Sequence, residues 1–276
     1  GGAGNDTLVG GTGNDSFNVD SGTDIITLLG GDNSGAGGDS DVLVVSSGAT
    51  ANATNINSFT ATTASSNAGT ANLSTKAAGG TINMAASNSG AYNINGGAGN
   101  DILTGGGGND IFTVAAATEA DGDTINGGAG TDIINLSTGT HTLNDDAKLS
   151  NVETIVSNSS GSTLILTNQA EGFTLTGGAG TDNFTGGSGA DVITGGAGND
   201  TFAGGTGNDT FNIDSGTDTI SDLGTGSDIF VVSSGATLNA TPITSFTATF
   251  ASRNDGTANL TAATGGGVID LSNVAS

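Results

Sequence analysis

Aspartate is the side chain best placed to do chemistry in this sequence. The chain has 27 acidic residues against three basic ones, for a net charge of −24. Only three of the acids are glutamate (Glu119, Glu153 and Glu171), and most of the aspartates lie within two residues of a glycine. Carboxylates and the exposed carbonyl oxygens of glycine-rich turns are the ligands that a hard cation such as Ca²⁺ takes, about six to eight at a time. Cation binding is therefore the first chemistry that the composition suggests.

Few residues in this sequence could support other kinds of chemistry. The chain has no cysteine, which excludes disulfides and thiolate metal sites. Its one histidine, His141, stands in no recognised motif, and we expect it at the surface or in a turn. Asp145 and Asp146 could be the paired carboxylates of a glycosidase, but the aromatic platforms that such an enzyme needs are missing, so we interpret them as solvated acids. We predict no catalytic residues and no enzymatic activity in this segment.

The aspartates follow a nine-residue repeat of the form G-G-x-G-x-D-x-U-x, in which U is a large apolar residue. Nine segments match it in full, and they start at Gly1, Gly10, Gly96, Gly105, Gly127, Gly177, Gly186, Gly195 and Gly204. Degenerate copies keep the frame at Asp24 and Asp218. The glycines give the backbone freedom for φ > 0 and for close approach of the chain. Each repeat is therefore predicted to form one turn and one short strand.

The apolar position of the repeat indicates the elements that must hold these turns. It recurs every nine residues even where glycines are lost, at Leu166, Leu175, Phe184, Ile193, Phe202, Phe211, Ile220 and Ile229. A shorter series runs through Ile125, Ile134, Leu143 and Val152. Neither a helical period nor hairpin alternation explains this spacing. Two repeats would close one rung, meaning one complete turn of a coil, of about 18 residues. We predict an all-β fold, a parallel β-roll or β-helix solenoid with the U side chains pointing inward.

These nonapeptides resemble the RTX, or haemolysin-type calcium-binding, repeat. The resemblance implies several Ca²⁺ ions held between successive rungs, so that carbonyl oxygens and the aspartate of one repeat meet those of the repeat one rung later. In the longest tandem block it implies three ligand sets: Gly178, Gly180 and Asp182 with Gly195, Ala197 and Asp200; Gly187, Gly189 and Asp191 with Gly204, Thr206 and Asp209; and Gly196, Gly198 and Asp200 with Ile213, Ser215 and Asp218. Near the start, the set is Gly2, Gly4 and Asp6 with Val19, Ser21 and Asp24, and Asp15 is a further candidate.

The isolated repeats depart from the tandem pattern. An insertion follows the pair at Gly96 and Gly105, so that Asp101 stands opposite Glu119 by count. Asp110 is expected to meet the acidic turn at Asp121, Gly122 and Asp123 instead, and Asp132 stands in a lone repeat. We keep Asp101, Asp110, Asp123 and Asp132 as candidate calcium ligands; the alternative is that these copies form ordinary Gly/Asp turns.

A longer duplication overlies the nonapeptides. Residues 10–27 (GGTGNDSFNVDSGTDIIT) return as residues 204–221 (GGTGNDTFNIDSGTDTIS), and residues 40–50 return as residues 227–237. The predicted organisation is an RTX block at 1–41, a Ser/Thr/Ala-rich β segment at 42–95, an RTX block at 96–135, a calcium-poor solenoid continuation at 136–176, an RTX block at 177–228 and a second Ser/Thr/Ala-rich copy at 229–276. Disordered linkers are the alternative for the segments between the RTX blocks.

The charge and hydropathy of the chain exclude some classes of function. Nucleic acid is excluded as a partner because binding phosphate requires clustered Lys and Arg, and the apolar runs are too short for membrane insertion. We expect a calcium-binding structural protein of the bacterial cell surface or extracellular space, such as a surface layer, filament or coat, exported by type I secretion and associating with itself or with neighbouring repeats. The alternatives are an adhesin stalk, and the RTX module of a secreted enzyme or toxin whose active domain lies elsewhere.

Overall fold

The computed structural model describes residues 1–30, 40–114, 122–157 and 160–274, and every regular element in those ranges is a β-strand. The chain divides into two compact units, residues 1–135 with 147–152, and residues 136–146 with 153–276. Within the described ranges, no helix has the length and apolar character needed to cross a membrane.

The strands of the first unit are short and follow each other closely. They are β1 (Thr7–Val9), β2 (Ser16–Val19), β3 (Thr23–Thr27), β4 (Val42–Val45), β5 (Thr50–Ile56), β6 (Ser58–Thr60), β7 (Ser66–Asn67), β8 (Thr70–Thr75), β9 (Thr81–Asn83), β10 (Tyr92–Gly97), β11 (Ile102–Thr104), β12 (Ile111–Val114), β13 (Thr124–Asn126), β14 (Ile133–Leu136) and β16 (Leu149–Ser150). Leu136, the last residue of β14, is counted with the second unit.

The second unit has the same kind of strands. They are β15 (Gly139–Thr142), β17 (Thr154–Val156), β18 (Ser162–Ile165), β19 (Thr174–Thr176), β20 (Asn183–Thr185), β21 (Val192–Thr194), β22 (Thr201–Ala203), β23 (Thr210–Ile213), β24 (Thr217–Ile220), β25 (Ile229–Val232), β26 (Thr237–Ile243), β27 (Ser245–Thr247), β28 (Arg253–Asn254), β29 (Thr257–Ala262) and β30 (Val268–Asp270).

Each unit is a parallel β-solenoid. In the first unit the strands stack in the orders β1-β3-β5-β8-β10-β12-β14, β2-β4-β7 and β6-β9-β11-β13-β16. In the second unit the orders are β17-β19-β21-β23-β25-β28, β15-β18-β20-β22-β24-β26-β29 and β27-β30. Consecutive strands along the chain thus lie in different walls, and each wall is built from strands one rung apart. The predicted fold class is confirmed.

Rung length follows the sequence repeat only where the repeat is unbroken. Leu175 pairs with Ile193, 18 residues later, and Phe184 pairs with Phe202 at the same interval. Between the tandem blocks the rungs are longer, as where Thr23 pairs with Thr50, 27 residues later. The average is therefore about 20 residues, because insertions in the turns lengthen a rung without disturbing the strands on either side.

The U side chains form the core, as predicted, except for Leu8 in the first rung and Ile229, which are only half-buried. Phe184, Phe202 and Phe211 are at most 1% exposed, and the ring centroids of Phe184 and Phe202 lie 6.3 Å apart. The prediction was wrong for Ile229, which is only half-buried, because the rung before it has one extra residue and Phe230 takes the inward position. A strand places alternate residues on opposite faces, so a shift of one residue exchanges inside for outside.

The long duplication is repeated in the strand pairing. Strand β5 pairs with β8 through Ala51–Ala71 and Ala53–Leu73, and β26 pairs with β29 through Leu238–Ala258 and Ala240–Leu260. Both pairs contain an irregularity at the same place, between Ala53 and Ile56 and between Ala240 and Ile243. The two copies therefore share a register as well as a sequence.

Candidate calcium sites

The repeat aspartates form buried ladders across the rungs. The backbone N–H of Asp182 donates to Oδ1 of Asp200 at 2.8 Å, and the N–H of Asp200 donates to Oδ1 of Asp218 at 2.9 Å. A parallel ladder joins Asp191 to Asp209 at 2.9 Å. All five side chains are at most 1% exposed. The nonapeptide spacing thus places each carboxylate against the backbone of the preceding rung, inside the turn.

The second carboxylate oxygen faces the glycines of its own repeat. Oδ2 of Asp182 accepts the N–H of Gly178 at 3.1 Å, and Oδ2 of Asp191 accepts the N–H of Gly187 at 3.3 Å. Oδ2 of Asp200 and Oδ2 of Asp218 are buried and have no hydrogen-bond partner in the described part of the chain. A carboxylate offers about four lone-pair sites, so these oxygens have acceptor capacity that the protein alone leaves unused.

The first tandem set brings its carbonyl and carboxylate oxygens together beside two glycines. A Cβ built on Gly177 would lie 2.0 Å from the carbonyl oxygen of Gly195 and 2.7 Å from Oδ2 of Asp182. A Cβ built on Gly198 would lie 2.2 Å from the carbonyl oxygen of Gly180 and 3.2 Å from Oδ1 of Asp200. Oxygens from both rungs therefore border the space that glycine leaves open, and this donor set fits a hard cation.

The carbonyl of Gly178 also links the two rungs of this set. It accepts the N–H of Ala197 at 2.8 Å, which leaves the second lone pair of that oxygen for another partner. Gly196 has a φ of +89°, a value that residues with a Cβ rarely adopt. The conformation that presents these oxygens therefore depends on glycine at this position.

The other predicted sets show the same cross-rung contacts. In the second tandem set the N–H of Thr206 donates to the carbonyl of Gly187 at 2.9 Å, and a Cβ on Gly207 would lie 2.2 Å from the carbonyl oxygen of Gly189. In the third set the hydroxyl of Ser215 donates to the carbonyl of Gly196 at 3.1 Å. Both resemble the first set, so cross-rung contacts of the same kind recur through the tandem block.

The set near the start of the chain is built in the same way. The hydroxyl of Ser21 donates to the carbonyl of Gly2 at 3.2 Å. A Cβ built on Gly1 would lie 2.3 Å from Oδ2 of Asp24 and 2.6 Å from Oδ2 of Asp6. Two carboxylates from adjacent rungs thus flank one small space, as the ligand set implied by the RTX resemblance requires.

The pairing predicted for the isolated repeats was wrong. The N–H of Asp101 donates to Oδ1 of Asp123 at 2.8 Å, and the N–H of Asp110 donates to Oδ1 of Asp132 at 2.6 Å. Both partners lie 22 residues later, because the insertion lengthens this rung. Glu119, which counting places opposite Asp101, and Asp121, in the acidic turn that we expected to meet Asp110, lie outside the described residues. The four aspartates therefore keep the ladder geometry of the tandem block, and their role as calcium ligands stays a prediction.

Two aspartates of the ladders, Asp41 and Asp228, were not predicted from the sequence. Oδ1 of Asp41 accepts the N–H of Asp15 at 2.8 Å, and Oδ1 of Asp228 accepts the N–H of Asp209 at 3.1 Å. Neither has the preceding G-G-x-G, but each stands two residues before a buried strand residue, Leu43 or Phe230, which is the D-x-U part of the repeat. That shorter pattern could have identified them.

The asparagine before several of the repeat aspartates forms a second row of bonds. Oδ1 of Asn199 accepts the N–H of Thr217 at 2.9 Å, and Oδ1 of Asn5 accepts the N–H of Thr23 at 2.9 Å. These bonds join the same pairs of rungs as the carboxylates do. The Asn-Asp dipeptide therefore ties each turn to the next at two adjacent positions.

Burial makes the carboxylates of Asp110, Asp209 and Asp218 hard to ionise in the absence of a cation. Burial raises the pKa of Asp209 to about 6, and the charges of Asp228, Asp191 and Asp222 add to the rise. Burial also raises the pKa of Asp218 to about 6, with Asp200 and Asp214 contributing. The pKa of Asp110 rises to about 6 for the same first reason. A bound cation would favour the ionised carboxylates and reverse this shift.

No group of three or more His, Asp or Glu side chains is gathered at one point within the described ranges. The ligand sets implied by the RTX resemblance each pair two aspartates with four backbone carbonyls. This composition suits Ca²⁺, which accepts many oxygen ligands in irregular geometry, better than Mg²⁺, which demands a stricter octahedron.

His141 does not lie at the surface, contrary to the sequence prediction. It stands in β15, pairs with Leu164 of β18 and is fully buried. Its Nε2 lies 2.9 Å from the carbonyl oxygen of Ser137, whereas its buried Nδ1 has no hydrogen-bond partner among the described residues. Burial lowers the pKa of the imidazole. His141 is thus an inward residue of the solenoid wall, two positions before the buried Leu143.

Fold and sites together define a parallel β-solenoid whose glycine-aspartate turns place carboxylate and carbonyl oxygens between adjacent rungs. Comparison with protein families agrees: the family described as the RTX calcium-binding nonapeptide repeat (4 copies) matches residues 1–34, 88–116, 117–140, 176–211 and 185–220. The chain therefore carries RTX repeats, a kind of repeat that binds calcium. A search of curated proteins gave no match.

Proposed function

We infer that this chain is a calcium-binding structural protein of the bacterial cell surface or extracellular space, exported by type I secretion and assembled into a layer, filament or coat. The inference is carried by the long duplication, which is preserved in strand register as well as in sequence. A repeated supersecondary unit that stacks on its own copies builds extended structures from few kinds of contact.

Calcium has a structural role in this proposal. The ladders concentrate ionisable carboxylates inside the turns, and the fold has only thin layers of apolar side chains to offset their repulsion. Bound Ca²⁺ would neutralise the carboxylates and join adjacent rungs, so the ions act as cross-links in a chain without cysteine. Secreted RTX proteins would meet millimolar calcium only after export, which couples folding to arrival outside the cell.

Non-enzymatic assembly is preferred over the module of an enzyme or toxin for one reason. A module that only folds or exports a neighbouring domain needs one compact array of repeats, whereas this chain contains a duplication that brings back turns, strands and bulges together. An adhesin stalk shares these features and differs in remaining a single molecule. Self-association therefore separates the proposed function from the stalk.

The test is negative-stain electron microscopy and sedimentation of the chain in millimolar calcium beside a calcium-depleted control. Ordered sheets or filaments that form only with calcium are the expected result. Isolated particles at every protein concentration, with calcium bound, would contradict a coat and support a stalk or a module. Failure to bind calcium would contradict the proposal at its first step.

A further inference from the structure

The third ligand set of the tandem block, which joins the turns of Asp200 and Asp218, contains two buried oxygens without a donor. Oδ2 of each aspartate has no hydrogen-bond partner in the described part of the chain, although both side chains are at most 1% exposed. In the first set this oxygen accepts the N–H of a glycine four residues earlier, as Oδ2 of Asp182 does from Gly178 at 3.1 Å. A buried carboxylate oxygen without a donor is costly, and a cation beside it would relieve that cost.

The turn of Asp218 also differs from the two repeats before it at its second position, where Asp214 stands in place of glycine. The corresponding glycines, Gly196 and Gly205, have φ values of +89° and +97°. A Cβ built on them would lie 2.1 Å and 2.0 Å from a carbonyl oxygen one rung earlier. In the repeat of Asp214, strand β23 extends through Ile213, and the chain enters the turn without the left-handed conformation. Position 214 can therefore carry a charged side chain.

The charge of Asp214 acts on both buried carboxylates. Burial raises the pKa of Asp200 and raises the pKa of Asp218 to about 6, and in each case the charge of Asp214 adds to the rise. Asp214 itself is exposed, and within the described ranges it forms no close group of three acids with them. The hydroxyl of Ser215, the next residue, donates to the carbonyl of Gly196 at 3.1 Å and holds the turn against the preceding rung. Asp214 is therefore placed as a neighbouring charge rather than as a direct ligand.

Two other acids of this unit, Asp222 and Asp228, are satisfied by the backbone. Oδ1 and Oδ2 of Asp222 accept the N–H groups of Gly204 at 3.0 Å and of Gly205 at 2.8 Å. Both oxygens of Asp228 also accept backbone N–H groups. Because the chain itself stabilises these carboxylates, they gain less from a cation than the third set does.

The same arrangement lies at the end of a ladder in both copies of the long duplication. Residues 20–24 and 214–218 both read DSGTD. In the second copy the turn one rung later, residues 233–237, reads SSGAT and contains no acid, and the first copy has the same five residues one rung after its DSGTD turn. The N–H of Ser233 donates to the carbonyl of Ile213 at 2.8 Å. The uncharged turn therefore stacks directly on the turn of the third set.

We propose that Asp214 is an affinity-determining residue, whose charge makes the third set the tightest calcium site of the second unit and the first to fill. This rests on the proposed function, because it names the site at which calcium-dependent folding of this unit begins. A nearby negative charge attracts the ion through space, and the charge around a site tunes its calcium affinity. Filling would then spread from the boundary with the uncharged rung toward Asp182.

Amide hydrogen exchange of the full chain at increasing calcium chloride measures the order of filling. The N–H of Thr219 donates to the carbonyl of Asp200 at 2.8 Å and reports the junction of the third set. The N–H of Thr201 donates to the carbonyl of Asp182 at 2.9 Å and reports the junction of the first set. In the wild type, Thr219 should become protected at a lower calcium concentration than Thr201. Simultaneous protection of the two amides, or the reverse order, would contradict the proposed order.

Asp214→Asn tests the charge itself. Asparagine keeps the oxygen that accepts the N–H of Ser215 at 3.1 Å, but the calcium midpoint for protection of Thr219 should rise about threefold. Glu171→Gln is the control, because it removes one exposed charge from the same unit and should leave the midpoint unchanged. Asp214→Glu should restore most of the affinity, since it keeps the charge. The difference between D214N and wild type should shrink in molar potassium chloride, because salt screens an exposed charge.

The opposing outcomes separate this inference from the proposed function. An unchanged midpoint in D214N, with wild-type circular dichroism in saturating calcium, would overturn the role of Asp214 and leave calcium binding intact. An equal rise in D214N and E171Q would assign the effect to net charge and would also overturn it. A difference that persists in molar salt and is not restored by D214E would assign Asp214 a structural role in the turn instead. A wild-type chain in which calcium protects no amide would reject the proposed function, and this inference with it.

Discussion

The backbone N–H of Asp182 donates to Oδ1 of Asp200 at 2.8 Å, across two adjacent rungs. The same aspartate therefore serves twice: its amide holds the carboxylate of the following rung, and its carboxylate accepts the N–H of Ser162 at 2.8 Å from the preceding rung. A substitution that keeps these hydrogen bonds and removes the charge can separate the two roles.

Asp200→Asn makes that separation. The amide oxygen of asparagine can still accept the N–H of Asp182, but the charge that would bind calcium between Asp182 and Asp218 is lost. We expect the calcium concentration at half-maximal folding, followed by far-ultraviolet circular dichroism, to rise by about tenfold or more. Glu171→Gln is the control, because it removes one exposed charge from the same unit and should leave the midpoint unchanged. Equal midpoints for D200N and wild type would argue against a calcium ion at this ladder.

Gly195→Ala tests the space beside the turn. A Cβ at Gly195 would lie 2.1 Å from Oδ2 of Asp200 and 2.7 Å from Cζ of Phe202. Because neither the carboxylate nor the packed ring can move freely, we expect a loss of calcium-dependent folding and a large fall in stability. Gly265→Ala is the matched control, since a Cβ there meets nothing within 4 Å. Calorimetry in saturating calcium measures both, and wild-type stability in G195A would show that the turn is less constrained than its geometry indicates.

The calcium-free chain should gain structure on acidification. Asp110, Asp209 and Asp218 have folded pKa values raised from 3.8 to about 6. A group with a raised folded pKa favours the folded state at low pH, and that contribution is lost as pH rises from about 4 to about 6. Protein desalted free of calcium should therefore show more β-structure near pH 4.5 than at pH 7.5. Progressive loss of β-structure between pH 7 and pH 4.5 would contradict buried ladders in the calcium-free chain.

His141→Leu should stabilise the second unit, most clearly in acid. The buried Nδ1 of His141 has no hydrogen-bond partner among the described residues, and leucine would pack beside Leu164. Because burial lowers the pKa of His141, its contribution to stability is lost as pH falls through about 6.5, the unfolded value. We expect a gain of about 1 kcal/mol at neutral pH. Thr140→Leu, at an exposed neighbour, should change little in the same denaturant titration.

The nine-residue period predicted which residues point inward within an unbroken repeat. The pairing of residues across an insertion could not be predicted from the sequence. Apolar residues at nine-residue intervals predicted the inward positions of Leu175, Phe184 and Ile193, because an unbroken repeat leaves the chain only one register. The partners predicted for Asp101, by counting, and for Asp110, from the nearby acidic turn, were wrong, since the strand frame does not constrain the length of a surface turn. Only the paired backbone shows that both shift by the same amount.

The predicted burial of His141 and Ile229 was wrong for a related reason. The residue type alone does not predict burial at position 141, because histidine is intermediate between buried and exposed residues. Residue 141 precedes the buried Leu143 by two and therefore shares its face. Ile229 satisfied the nine-residue spacing, yet one inserted residue between Asp209 and Asp228 gave the inward place to Phe230. Alternation along each strand is thus more reliable than spacing counted across a turn.

The ladder bonds all run in one direction along the chain, from an amide to the carboxylate of the next rung. During folding, a rung at the end of the growing ladder consequently offers an amide that has no carboxylate acceptor until the next rung folds. The tandem block should behave as a one-dimensional zipper, in which a single rung is unstable, each closed junction favours the next, and the transition sharpens as rungs are added. Chain length within the block would then set how abruptly the molecule responds to a rising ion concentration, independently of how tightly any one ion is held.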